Sequence, residues 1–224
     1  MDGWTRWSAR IGLTGITVFI LDLLALHIWS LSTGHVPEYV SHYGRGSEGW
    51  LWTKGLVALG IGILGFGLAL PAAMEKTGWR VASRVLLVFV LVGVGLIAGF
   101  KTNVGGEPST TEGQIHMSAV IPTFLAITLA MVVMGFAFWK DPRWHGLAAT
   151  SWGLATLSVI STMAFAESHY NGTLEVSITE RMVVLAAVAW FLVIAKKLTT
   201  VLGELSAASQ TSEASQRAST GPEA

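Results

Sequence analysis

His27, His116 and His169 stand at or beside long apolar runs, with Asp22 and Glu167 close to two of them in sequence. Imidazole and carboxylate are ligand types that zinc takes, and three of them plus a water make a catalytic site. A centre of that kind would perform metal-assisted hydrolysis, with the histidines as ligands and an acid as general base. No H-x-x-x-H or H-E-x-x-H pair is present, so no two ligands are aligned in advance on one helical turn. His27 and His116 could alternatively hold a haem between facing helices. A single haem at one side of a bilayer, however, leaves electrons no route across it. There is no G-x-S-x-G and no phosphate-binding glycine loop. With zero cysteines, disulfides, thiolate metal sites and cysteine nucleophiles are excluded.

The elements that carry these residues are unusually apolar. Of the 224 residues, 52% are hydrophobic and 12% charged, half the charged share of about 25% in an ordinary soluble domain. Mean hydropathy is +0.57. A helix crossing a bilayer needs about 20 apolar residues. Six segments meet that length, at roughly 11–31, 51–72, 81–100, 116–139, 146–166 and 182–199. They are apolar all round, without the alternation of barrel strands. The expected fold is therefore all-α, a polytopic membrane protein with six transmembrane helices in one bundle over residues 1–203. Spans 2 and 3 are glycine-rich, and Gly95-x-x-x-Gly99 fits the small-residue pattern by which helices approach closely in lipid. Residues 204–224 are polar and small and predict a disordered tail.

Charge sets the expected orientation. Ten of the 14 basic residues fall on one side: Arg6, Arg10, Lys76, Arg80, Arg84, Lys140, Arg143, Lys196, Lys197 and Arg217. Arg45, Lys54, Lys101 and Arg181 fall on the other. The positive-inside rule places both termini in the cytoplasm of a multi-pass cell-membrane protein. An even span count requires the termini to share a side. The net charge is +0, and no basic stripe is available for nucleic acid. The bilayer is the expected partner.

With that orientation, five of the six histidines lie at the outer side, and only His145 is cytoplasmic. Glu112 and His116 open span 4, Glu167 and His169 close span 5, and Glu180 and Arg181 open span 6. The loop 32–50 adds His35, Glu38, His42, Arg45 and Glu48. A polar cap shared by several spans results. Each member also has a purely structural role open to it. Glu112 suits a helix start capped by Thr110 or Thr111. Arg181 could snorkel, or pair with Glu180 or Glu175, and His116 could tie helices together. Asp22 stands apart, because a carboxylate deep in a span costs about 2.5–3.5 kcal/mol to insert. Its expected partner is His27 or a basic group of another helix. Tryptophans near the span ends, Trp4, Trp7, Trp29, Trp50, Trp52, Trp79, Trp139 and Trp144, form the usual aromatic belt.

Four polar stretches, YVSHYGRGSEGWLW, GFKTN, TTEGQIHMSA and ITERMVVLAAVAW, come in order along the chain. Together they resemble the prokaryotic six-span membrane family known as domain of unknown function 998, over roughly residues 10–199. The resemblance points to Ser41, Tyr43, Thr102, Asn103, Gly113, His116, Glu180 and Arg181 as shared positions. This chain departs from the family's frequent Phe-Pro-Thr, having Phe100-Lys101-Thr102, which adds a charge to the cap. The family has no assigned activity, so the resemblance implies a fold and a site location but no reaction. The expected function is binding or handling of a lipid or small solute in a polar pocket open to the outer face. A zinc-dependent membrane hydrolase and a structural partner within the membrane are the alternatives. The candidate site is Asp22, His27, Ser41, Tyr43, Thr102, Asn103, His116, Glu167, His169, Glu180 and Arg181, with His27, His116 and His169 as metal candidates.

Overall fold

Six α-helices form the molecule: α1 (Gly3–Ser32), α2 (Gly49–Ala73), α3 (Gly78–Gly99), α4 (Thr111–Lys140), α5 (Ala148–Asn171) and α6 (Val176–Ser219). They come from a computed structural model describing residues 3–75, 78–103, 108–171 and 176–219. Lys76 of the charge tally, Glu175 as a partner of Arg181, and residues 220–224 lie outside the described residues. All six helices are long and apolar enough to cross a membrane. Each helix packs on its sequence neighbour, and α6 closes the ring against α1 while also touching α2 and α4. Both termini lie at one end of the bundle. The 33–48 connector, which includes a 3-10 helix (Val40–Gly44), lies at the other.

The tight seam is α1 against α2. A Cβ on Gly15 would collide with the backbone of Ala58 and Gly62, and one on Gly65 would come within 2.6 Å of the Ser8 carbonyl. Gly12, Gly15, Gly62 and Gly65 thus let two backbones touch. The Gly95-x-x-x-Gly99 expectation fails, because a Cβ at either position would meet nothing within 4 Å. On α3 it is Gly93 that is pressed, against Thr123 of α4. Six of the boundary tryptophans are exposed as a belt requires, whereas Trp52 and Trp144 turn inward at 7% and 0% exposure. The Trp144 indole donates to the Ala73 carbonyl (2.8 Å) and stacks on Phe138, closing the terminal end.

Helix α6 runs on past the apolar span as far as Ser219. Between Glu204 and Ser219 there is no proline or glycine. A helix already formed within the bundle propagates without a new nucleus. Leu202 and Ser206 also face inward at 1% and 9% exposure. The Arg6 guanidinium donates to Ser206 Oγ (3.2 Å), tying the extension to α1.

Candidate functional site

The connector between α1 and α2 is drawn into the bundle by its own apolar and aromatic residues. Val40, Ser41 and Tyr43 are buried. Two side chains at the start of α6 hold it there. The Glu180 carboxylate accepts the Val40 amide (2.5 Å), and the Ser41 backbone supplies a further hydrogen bond. The Arg181 guanidinium donates to the carbonyls of Pro37 (2.9 Å), Glu38 (3.4 Å) and Ser177 (2.6 Å). Its Nε reaches His27 Nε2 at 3.2 Å, while His27 Nδ1 lies 3.0 Å from the Leu23 carbonyl. The His27 ring packs at 5.1 Å from Tyr43. Glu180 and Arg181 therefore fasten a loop to a helix, using backbone groups that would otherwise be left unpaired.

A second tie joins α3 to α4. Thr110 caps α4, accepting the Gly113 amide at 3.1 Å. Asn103 Oδ1 accepts from the Thr110 amide (3.1 Å) and hydroxyl (2.9 Å). The Asn103 side chain lies where a Cβ on Gly113 would be, so a larger residue at 113 would push that side chain off its bonds to Thr110. Thr102 is buried with its hydroxyl toward the Asn103 carbonyl (3.3 Å), while Lys101 is exposed. His116, 1% exposed, places Nδ1 at 2.7 Å from the Phe100 carbonyl. A carbonyl only accepts, so Nδ1 carries the proton, and in the neutral ring Nε2 is an acceptor. That Nε2 is buried and has no hydrogen-bond partner among the described residues.

Ser41, His116 and Glu180 meet at the ceiling of a cavity of about 80 Å³. Below them the walls are apolar, with Phe19, Trp52, Leu56, Val94, Phe124 and Phe191 among the lining residues. A separate groove of about 290 Å³ between α2 and α3 shares Leu56 and Val94 with the cavity, and Gly60, Gly95 and Gly99 keep it open. On the far side of the connector, a surface pocket of about 640 Å³ is lined by Trp29, His35, Glu38, His42, Tyr43 and Arg45 among others. His42 is held below the ordinary histidine range by burial, against the opposing pull of Glu38 and of the Asn103 backbone. Burial, with Glu38 and Glu180 nearby, pushes the Tyr39 phenol up.

The remaining candidates do not join this set. Asp22 is buried on the α2 side, its Oδ1 2.8 Å from Lys54 Nζ, so a basic group of another helix is its partner and His27 is not. Glu167 is exposed and accepts from the Asn171 amide at 2.8 Å. His169 places Nδ1 3.2 Å from the Tyr39 hydroxyl and stacks on Phe165. Among the described residues no three histidine or acidic side chains lie close enough to share a metal. His27, His116 and His169 each have a different Nδ1 partner: the Leu23 carbonyl, the Phe100 carbonyl and the Tyr39 hydroxyl. Tyr39 and Lys54 were missed by residue type. The signal for Tyr39 was a loop richer in aliphatic and aromatic residues than a solvated connector needs.

The ties at positions 41, 102–103, 113, 116 and 180–181 are the residues that the four polar stretches singled out. Residues 13–197 match the family described as protein of unknown function (DUF998). The chain belongs to the DUF998 family. No curated protein and no solved structure matches it. In this DUF998 protein these positions divide into two kinds. Glu180, Arg181, Asn103 and Gly113 hold connectors in place, and His116 leaves an acceptor unspent at a cavity.

Proposed function

We propose that this DUF998 protein binds a lipid-derived amphiphile whose hydroxyl or amine donates to His116 Nε2. The observation that carries the reading is that buried, partnerless nitrogen at the top of an apolar cavity. Leaving such an acceptor unmet costs about 1–3 kcal/mol, so a donor is expected there. The apolar walls favour an alkyl chain over a polar solute, and the small volume admits only part of one. Pockets for drug-sized ligands run to about 300–1,000 Å³, and the cavity is about 80 Å³. It takes the polar tip and a few carbons, and the rest of the chain reaches the α2–α3 groove only if Leu56 and Val94, the wall that both spaces share, move apart. Under the positive-inside orientation, this site belongs to the outer half of a cell-membrane protein.

The test is to purify wild type and His116→Asn in mild detergent and identify bound lipid by mass spectrometry. An asparagine amide can still donate to the Phe100 carbonyl but offers nothing in place of Nε2. Wild type is expected to carry about one hydroxyl- or amine-bearing lipid per chain, and the variant to lose at least tenfold of it (about 1.4 kcal/mol). Equal lipid content in both proteins, with matching melting temperatures, would sink the proposal. A second reading is supported by the hydrogen bonds that Glu180 and Arg181 spend on the connector. In it, that pair is a structural clasp, and only His116 and Ser41 face ligand.

A further inference from the structure

The helical extension of α6 creates a feature at the terminal end that an irregular tail would not. From the sequence-predicted end of span 6 onward, Thr199, Gly203, Ser206 and Gln210 recur at intervals of three or four on one face of α6. That face lies opposite Arg6 and Arg10 of α1, and the groove between them has a volume of about 280 Å³. Both arginines are exposed. Arg6 touches Ser206 Oγ through Nη1, and Arg10 has no hydrogen bond or ion pair with any described residue. Among the described residues no acidic side chain lines the groove. The floor is open at Gly203, where a Cβ would meet nothing within 4 Å. Exposed Trp4 and Trp7, at 66% and 62%, lie on the same first turns of α1. Such tryptophans sit at head-group level, which places the groove at the water–lipid boundary.

Two guanidiniums one turn apart present planar forks suited to the oxygens of a phosphate. On the facing helix Ser206 Oγ, already in contact with Arg6, is placed to meet a further oxygen, and Gln210 lies one turn beyond it. We infer that this groove is a seat for the phosphate of an anionic phospholipid, clamped between α1 and α6. The site is separate from the cavity under His116 and does not depend on it. The chemistry recognised is an anionic phosphate, and its position at head-group level assigns it to lipid over free phosphate.

The experiment places the full chain in nanodiscs of phosphatidylcholine with increasing phosphatidylglycerol and counts retained lipids by native mass spectrometry. Wild type is expected to retain one phosphatidylglycerol in preference to phosphatidylcholine. Arg6→Gln and Arg10→Gln should each reduce that retention by about fivefold. Gly203→Leu keeps every charge and fills the groove, and it should reduce retention by as much. Arg10 and Gly203 are exposed and make no tie to the rest of the fold among the described residues. Arg10→Gln and Gly203→Leu should therefore match wild type in size-exclusion profile and melting temperature, whereas Arg6→Gln also removes the contact with Ser206. If the arginine variants lose lipid while Gly203→Leu retains it, the attraction is diffuse and the seat is overturned. Equal retention of the two lipids by wild type overturns it as well. Inorganic phosphate binding as tightly in pure phosphatidylcholine discs would overturn the assignment to lipid.

Discussion

At the residue scale, the polar side chains of the bundle separate by whether their hydrogen-bonding capacity is spent. Arg181 spends its donors on three carbonyls and a histidine, so its charge anchors the connector. His116 spends one nitrogen and keeps the other. Asp22 is intermediate: Lys54 takes one oxygen, and Oδ2 is buried without a partner. Lys54 is half exposed, which weakens the pair relative to a fully desolvated one. Lys54→Met is expected to destabilise by about 1–3 kcal/mol, chiefly by stranding the carboxylate. In the Asp22→Asn background the same substitution should cost much less. Melting curves of the four proteins of this cycle check the coupling, and additive effects would refute it.

At the element scale, α1 and α2 form the rigid seam, while α2 and α3 leave a groove open to lipid. The reason lies in which glycines face a backbone. Gly15→Ala is expected to destabilise by about 1–3 kcal/mol, since its Cβ has nowhere to go without moving α2. Gly95→Ala should be neutral or slightly stabilising, by up to about 1 kcal/mol, through helix propensity alone. Thermal unfolding in detergent distinguishes the two. A similar loss at both positions would mean that α2 and α3 are packed more tightly than the groove implies. The same facing rule decides the tryptophans: Trp52 and Trp144 lie near helix ends like the others, yet they point into the bundle.

At the scale of the molecule, the closed ring of six helices gives two unlike ends. One end carries the connector, the buried His116 and five of the six histidines. The other carries the termini and the basic groove. The chain has no native cysteine, so single cysteines report sidedness without background. In intact cells a membrane-impermeant maleimide is expected to label Ser47→Cys. It should reach Thr211→Cys only after permeabilisation. The reverse pattern would invert the orientation and move the His116 cavity to the cytoplasmic half.

The number of helices, their approximate spans and the gathering of polar residues at one end were legible in the sequence. Each follows from local composition, because twenty apolar residues in a row have few alternatives to crossing a bilayer. The cap of α4 at Thr110 was legible for the same reason, as capping is a contact between near neighbours. What those residues touch was decided only by the tertiary structure. Depth in the membrane is one coordinate, and rotation about each helix axis and helix order around the ring are two more that hydropathy does not contain. Those coordinates took Asp22 to Lys54, kept the three histidines from sharing a metal, and left Gly95 and Gly99 facing a groove. They also carried α6 to Ser219, where a polar and small sequence, irregular by composition alone, is held as helix by the helix before it and by contact with α1.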